Sequence, residues 1–539
     1  MYVLKATEMA EIDRKTIEET GVPGVVLMEN AARGVVSVVF DRIKGKNALV
    51  VCGVGNNGGD GFAVARNLFN YGYNVDVVLL SSPEKLKGDA KVNFGILKNL
   101  EVNISVVERE TDLTVLFEKL ESADFIIDAI FGTGLTRPVE GFCASAIRFI
   151  NEKSRFTVSI DIPSGLLAGE AFLPEGEFVK ADITVTFAYP KIAHCLTPAC
   201  KFCGEVFVVD ISIPESKVKE ILPPRRIIKV SDVFPAFPER EIDTHKYNYG
   251  YLAVIGGSCG KTGAVSMTAM ASLRAGVGLV TAIVPRDLNP VYEVKLTEPM
   301  TVPIASAEKG YFNANSLDEV ITVLKEGKFT SVAIGPGLGW NRDTEVFVTE
   351  LLKAIDKPFI VDADALNSIS KNVDILKELG ETPILTPHTG EFSRLTGLTA
   401  DEIINNPVET AVNFASEYSV VLVLKGARTV IATPQGKVYV NIIGNPGMAT
   451  AGTGDILSGI IGALRAKGLS AELSAVAGVF IHSVSGDVAA KTFGEDSLVA
   501  SDLIKMLPEA LMLLKGSKGS FSQEKSFSFI KPLREIVGV

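Results

Sequence analysis

Glycines, carboxylates and one lysine stand at the ends of apolar runs in this sequence, where acid–base and phosphoryl chemistry can be sited. The first such stretch is VVCGVGNNGGDGFAVARNL, residues 50–68, in which Gly53, Gly55 and Gly58 fit GxGxxG between a strand-like and a helix-like run. Backbone N–H groups of such a loop approach a pyrophosphate, and the helix N-terminus adds partial positive charge. Asp76, 18 residues past Gly58, stands where the fingerprint places a ribose-binding acid. Asn56, Asn57, Gly59 and Asp60 add polar and small groups that a plain βα turn does not need.

Two further runs end the same way: IIDAIFGTGLTRPVEG (126–141) and VSIDIPSGL (158–166). In an open parallel sheet ligands sit beyond the carboxyl ends of the strands, so the three loops are expected to converge. Asp128, Asp161 and Ser164 then offer oxygen ligands for a hard cation, or an acid–base group. Each alone could equally be a cap or turn former.

The C-terminal half has its own set. GYLAVIGGSCGKTGAVSMTAMASLRAGVG again runs from strand to glycine loop to helix, but Ile255 occupies the place of the first Walker A glycine, which excludes a P-loop. IIGNPGMATAGTGDILSGIIGAL (442–464) puts Gly452–Asp455 at the start of a small-residue helix. Amides there would stabilise a phosphoryl group in transfer while Asp455 takes a proton from the attacking hydroxyl. A glycine-rich helix cap is the alternative. Between these ends lie VAIGPGLG (332–339), VDADAL (361–366), LTPHTGEF (385–392) and VLKGART (423–429). His388 could contact substrate or satisfy a loop carbonyl, and Lys425 ends a strand as a point charge for phosphate.

These residues must be carried by strands. Ala48–Cys52, Val75–Leu80, Phe125–Ile130, Thr157–Ile160, Ile183–Phe187 and Val206–Val209 read as continuous apolar strands covered on both faces. A second series runs through Tyr251–Ile255, Leu279–Val284, Val332–Ile334, Phe359–Val361, Ile384–Leu385, Val420–Leu424 and Val438–Val440. Helical patterns alternate with them, giving an α/β class with parallel sheets. The proline-rich, weakly periodic residues 213–238 are expected to link a domain of residues 1–212 to one of residues 239–510. Residues 511–539 are expected as a Ser/Lys-rich tail with a docking end.

At 539 residues with 47% hydrophobic and 22% charged, the chain can bury several cores. A net charge of −11 opposes a nucleic-acid or anionic-membrane surface. The first residues lack the basic-then-apolar order of a signal peptide, no uninterrupted run of 18 apolar residues occurs, and six cysteines are too few for a disulfide framework; cytoplasmic residence is expected. His194, Cys195, Cys200 and Cys203 fit no standard metal spacing and read as small buried or loop residues, as does Cys259.

In the order GNNGGDG, DAIFGTGL, DIPSG and FAYPK, residues 1–212 resemble the NAD(P)HX epimerase domain. The resemblance implies a Rossmann-like three-layer domain that interconverts the R and S epimers of 6-hydroxylated NADH or NADPH. It also implies a potassium ion held by Asn57, Asp128 and Ser164, and cofactor contacts from Asn56, Asn57, Gly58, Gly59, Asp60, Gly132, Thr133, Gly134, Leu135, Thr136, Arg137, Pro138 and Asp161. Asp161 is the candidate acid–base group and Lys191 the alternative. Val54 replaces a proline common in that family.

Residues 239–510 resemble the ADP/ATP-dependent NAD(P)HX dehydratase through GGSxGxTGA, GPGLG, DADAL, PHxGE, LKGxxT and NPGMAT–GTGD. This implies a ribokinase-like α/β/α layer, with Ala264, Gly337, His388 and Asp455 on the hydrated cofactor. Lys425, Gly426, Ala427, Arg428, Thr429 and Gly454 would bind ADP, magnesium would assist with Glu391 as a water-mediated ligand, and Asp455 would be the base. Thr389 and Ala451 depart from the usual proline and glycine. A homo-oligomer is expected from the resemblance alone. Two rivals are a ribokinase-like kinase that makes a stable phosphoester, and an N-terminal domain that only binds partners.

Overall fold

The computed structural model describes residues 1–307, 310–521 and 529–538. The chain divides into two compact units, Met1–Arg226 with Ser526–Ile536, and Ile227–Lys525 with Val537–Val539.

The first unit is built on strands β1 (Asn47–Cys52), β2 (Asn74–Leu79), β3 (Asn103–Val106), β4 (Phe125–Ala129), β5 (Thr157–Ile160), β6 (Ile183–Phe187) and β7 (Glu205–Val209). The second sheet is built from β8 (Arg225–Ile227), β9 (Tyr251–Ile255), β10 (Leu279–Pro285), β11 (Met300–Ile304), β12 (Ser331–Ile334), β13 (Phe359–Val361), β14 (Ile384–Leu385), β15 (Val421–Leu424), β16 (Thr429–Ala432) and β17 (Val438–Asn441). A last strand, β18 (Ile530–Pro532), returns to the first sheet.

That sheet has the order β18-β7-β6-β5-β4-β1-β2-β3. Strands β1–β7 are parallel, and β18 runs antiparallel to β7. The 3-2-1-4-5-6 succession is the Rossmann order, in which the crevice opens where β1 and β4 lead away in opposite directions. Helices α1 (Ala6–Glu18), α2 (Gly24–Arg42), α3 (Asn56–Asn70) and α4 (Gly88–Asn99) belong to this unit. On one face of the sheet, Val35, Phe62, Leu68 and Phe94 of α2–α4 pack on Val50, Ile127 and Val185. On the other, Leu116, Leu120, Ile147 and Ile150 pack on Leu49, Val51 and Ile126. Burial on both faces is why these strands read as unbroken apolar runs.

The second sheet has the order β11-β10-β9-β12-β13-β14-β15-β16-β17-β8. From β11 to β15 neighbours are parallel, and β16 and β17 add antiparallel strands. Its switch point lies between β9 and β12, whose ends carry the GGSCGKTG and GPGLG loops. The helix Ala471–Phe493, mean hydropathy 1.4, is the one described helix long and apolar enough to cross a membrane. Since 78% of its apolar window is buried inside the unit, it is a core helix.

Three sequence expectations differ from this architecture. Residues 213–238, read as a linker, hold the helix Glu215–Ile221, β8 and the turn Val230–Val233. Residues 511–521, read as tail, continue the helix Ala500–Phe521; residues 522–528 lie outside the described residues. Strands β3, β8, β11, β16 and β18 were not among the strands read from the sequence. Both edge strands β3 and β11 are half exposed, and Pro303 interrupts the latter.

Candidate active sites

In the first unit a cavity of ≈ 660 Å³ opens at the carboxyl ends of β1, β4, β5 and β6. Asn56, Asn57 and Asp60 on α3, Gly132–Leu135 after β4, Asp161 after β5 and Lys191 after β6 all line it. The loop can be this tight because a Cβ on Gly53 would lie 2.1 Å from the Ile130 carbonyl, and one on Gly58 2.0 Å from the Gly53 carbonyl. Gly59 lets α3 approach Met28 and Ala90; together with Gly58 it shapes the loop and does not wall the cavity. On the β4 loop the wall ends at Leu135, so Thr136, Arg137 and Pro138, expected as contacts, run past it.

Asp128 is fully buried behind this wall. Its carboxylate accepts from Ser159 Oγ (2.7 Å), Ser164 N (2.9 Å), Ser164 Oγ (2.5 Å) and Ile130 N (3.3 Å). Asn57 Nδ2 donates to the Phe131 carbonyl at 3.0 Å, and Ser164 Oγ reaches the same oxygen at 3.1 Å. Asn57 and Ser164 thus meet at one carbonyl, and Ser164 joins it to Asp128. Burial raises the Asp128 carboxyl above its ordinary value, and the neutral donors only partly offset this. The set offers oxygen atoms of the kind a hard cation takes.

Asp161 is the neighbouring centre of charge. Its φ of 63° turns the chain sharply after β5, and Oδ1 accepts from Lys191 Nζ at 2.6 Å, Thr186 Oγ1 at 2.9 Å and Phe187 N at 3.4 Å. Burial alone would raise this carboxyl, but the Lys191 charge and hydrogen bond outweigh it and hold Asp161 below the usual range. His194, whose Nδ1 accepts from Lys191 N, is held neutral by burial and by Lys191, at a pKa of about 3. Asp60 is shifted the other way, well above its ordinary value, by burial and by the charges of Asp161, Asp13 and Asp89.

Sequence reasoning missed the α1–α2 wall: Met9, Asp13, Ile17, Leu27 and Met28 line the cavity. The available signal was Asp13 itself, four residues after buried Met9 and so on the inward face of an amphipathic helix. Asp76 is a correction. It lies near the start of β2, paired with Lys119 and Asn103, and does not line the cavity at the strand ends. Among the described residues no group of three or more His, Cys, Asp or Glu side chains is arranged to hold a metal; Cys195 and Cys203 are buried beside His194.

In the second unit Asp455 occupies the first turn of the helix Thr453–Ala466, after Gly452 at φ 96°. Thr268 Oγ1 donates to the Asp455 and Ala264 carbonyls, each at 3.0 Å, and a Cβ on Gly337 would touch Ala264 at 3.1 Å. Thr268 thus links the Ala264 and Asp455 backbones, and Gly337 packs against Ala264. Lys425 Nζ lies 3.2 Å from where a Gly454 Cβ would stand, and Lys425 forms a parallel bridge with His388. Gly426, Ala427 and Arg428 form the turn from β15 to β16, which Thr429 closes with a 3.4 Å bond to the Gly426 carbonyl. His388 caps the helix Thr389–Thr396, its Nδ1 accepting from Gly390 N at 3.0 Å and Glu391 N at 3.4 Å. Burial, Lys425 and Arg394 hold its imidazole below the usual value, hence neutral.

Asp362, which sequence reasoning left inside a motif without a role, organises this site. Its carboxylate accepts from Ser458 Oγ (2.6 Å), Thr386 Oγ1 (2.8 Å) and Lys425 Nζ (2.9 Å), so one buried charge ties β13, β15 and the Asp455 helix together. Burial, then the Asp362 charge, push Asp455 up to about 7 against the opposing Lys425. Glu391, 3.9 Å from Lys425 Nζ, is also raised, chiefly by burial. The arrangement places a base near neutrality beside a buried cation and the amides of a helix N-terminus.

Two family models match the chain: YjeF-related protein N-terminus over residues 24–193, and NAD(P)H-hydrate dehydratase over residues 252–509. A bifunctional NAD(P)H-hydrate repair enzyme from Moorella thermoacetica is 41% identical over 521 residues, covering 96% of this chain and 97% of that one. One of the same description from Thermofilum pendens is 37% identical, with 96% and 97% covered. A solved ADP/ATP-dependent NAD(P)H-hydrate dehydratase from Bacillus subtilis, co-crystallised with ATP and Mg2+, aligns with 54% of this chain and 99% of its own at 27% identity, TM-score 0.46.

Proposed function

The chain belongs to the bifunctional NAD(P)H-hydrate repair enzymes, and from that premise we propose that its first unit epimerises hydrated NADH or NADPH while its second dehydrates the S epimer with ADP as phosphoryl donor. The observation that carries this reading is the presence, in one chain, of two complete and chemically different sites at two sheet switch points. One is an Asp161–Lys191 ion pair in a cavity; the other is Asp455 beside Lys425 at a helix N-terminus.

In the second unit Asp455 takes the proton of the 6-hydroxyl as its oxygen attacks the terminal phosphoryl group of ADP. The N-terminal amides and Lys425 stabilise the charge in transfer. AMP departs, the C6–O bond then breaks with its electron pair on phosphate, and loss of the C5 proton restores the dihydronicotinamide. Magnesium bound through water at Glu391 would neutralise phosphoryl charge. In the first unit Asp161, held charged by Lys191, serves as the acid–base group for the hydroxyl at C6. Potassium at Asn57, Asp128 and Ser164 would complement the buried carboxylate and fix the loop after β4.

The test is recovery of dihydronicotinamide absorbance from a mixed R/S hydrate with ADP and magnesium. Full recovery, faster than spontaneous epimerisation, is expected. Recovery that stops at the S fraction would leave the first unit without this activity. A stable phosphoester product would replace repair with small-molecule phosphorylation.

A further inference from the structure

Inverting the carbon that carries the 6-hydroxyl requires a proton donor for the departing oxygen as well as a proton acceptor for the returning one. The Asp161–Lys191 pair is a poor donor: Lys191 holds Asp161 in its charged form, and the three Lys191 Nζ hydrogens are already given to Asp161 Oδ1, Thr186 Oγ1 and the Phe187 carbonyl. A second group in the same cavity, in the opposite protonation state, would complete the set.

Asp13 meets that description on geometry. It sits on α1, outside the segment 24–193 that matches the family model, and α1 carries it into the cavity independently of the strand ends. Its Oδ1 is a buried oxygen with no hydrogen-bond partner, a state that a carboxyl group in a polar cavity keeps at a cost unless a ligand meets it. Neighbours on α1 do not satisfy it: Arg14 pairs with Glu11 and Glu18, and Lys15 with Glu19 and Glu220.

We propose that Asp13 is a catalytic residue of the epimerase site, the general acid that protonates the departing 6-hydroxyl while Asp161 serves as the base for the returning water. This rests on the epimerase reading above. The Asp13 O–H bond breaks and its proton passes to the hydroxyl oxygen. The C6–O bond breaks with its electron pair on oxygen, so water leaves, and the ring nitrogen lone pair becomes the C6=N bond. Water adds to the other face of C6, the C6=N pair returns to nitrogen, and the surplus proton goes to the Asp161 carboxylate. One proton is given and one taken, and no oxidant is needed. The reverse direction exchanges the two roles, and proton exchange with solvent resets them.

The surrounding charges agree. Burial, opposed by Lys191 and aided by the Asp161 charge, raises the Asp13 carboxyl to about 6. Asp60 on α3 also faces it, its own carboxyl raised well above its ordinary value by burial and then by the charges of Asp161, Asp13 and Asp89. Asp13 and Asp161 are thus pushed apart in the sense that separates an acid from a base.

The experiment uses the full chain without ADP, following R-to-S conversion by chromatography, with S-epimer dehydration in the same preparations as an internal control. Wild-type conversion no faster than the spontaneous rate would sink the epimerase reading itself, and with it this one. Given wild-type activity, Asp13→Asn should lower kcat by about 100-fold or more. KM should stay within about threefold and dehydration should be unchanged, while the alkaline limb of the kcat–pH profile, where Asp13 loses its proton, should disappear. Asp13→Glu should restore most of kcat with that limb displaced. A kcat for Asp13→Asn within threefold of wild type overturns the assignment. If Asp13→Asn fails to accumulate, Asp13→Glu decides: a displaced alkaline limb supports it and an unmoved one overturns it.

Discussion

Asp455 combines burial with a facing carboxylate, Asp362, and this sets its working range. As a base it must be ionised, and its pKa stands at about 7, so the dehydration rate should rise as pH increases through that value and level off above it. Asp455→Asn should lower kcat by at least about 100-fold with nucleotide binding retained, read by steady-state kinetics and calorimetric titration with ADP. Such strand-end and helix-start residues were legible in sequence because glycine-bearing loops marked them: Asp128, Asp161, Ser164, Lys425 and Asp455 each stand where chemistry was expected. Asp362 was not, and Asp13 offered only its helical spacing from Met9. The inward direction of Asp13 depends on how α1 packs, and the role of Asp362 on three partners 24, 63 and 96 residues away.

Helix α3 shows what an element must satisfy to hold such residues. Its first turn presents Asn56, Asn57 and Asp60, and its inner face buries Phe62 completely against Phe94, ring centroids 5.3 Å apart. Phe62→Ala should destabilise the first unit by about 3–5 kcal/mol, measured by denaturant unfolding, without altering S-epimer dehydration. Gly58→Ala would place a Cβ 2.0 Å from the Gly53 carbonyl. The backbone must then shift, and epimerisation should fall by more than the loss in folding stability explains, measured as kcat beside the unfolding midpoint. Central strands were readable because burial on both faces leaves an unbroken apolar run. Edge strands β3, β11 and β18 were not, since a half-exposed strand looks like loop until its neighbour is known.

At the scale of the whole chain, two units each carry their own sheet, switch point and charged centre. Their chemistries should therefore be separable within the intact protein. Asp455→Asn should abolish dehydration and leave R/S interconversion unchanged, and Asp161→Asn should do the reverse. Mixing the two variants should restore full recovery of a mixed R/S hydrate, whereas loss of both activities in either variant would contradict independence. The division into units was legible as two successive series of strands; a docking end was expected of the tail, but not that it would pair as a strand with β7.

That return has a consequence for synthesis. The strand that covers the edge of β7 is β18, antiparallel to it with Ile530 opposite Val209, so about 320 residues separate the partners. At about 5–20 residues per second, roughly 16–64 s of translation pass between them. Throughout that interval Glu205–Val209, four of whose five side chains end up buried, presents an open hydrogen-bonding edge, which is a template for pairing with another nascent chain. The ribosome-bound intermediate is thus the form of this protein most in need of a chaperone, and emergence of the final strand ends that exposure.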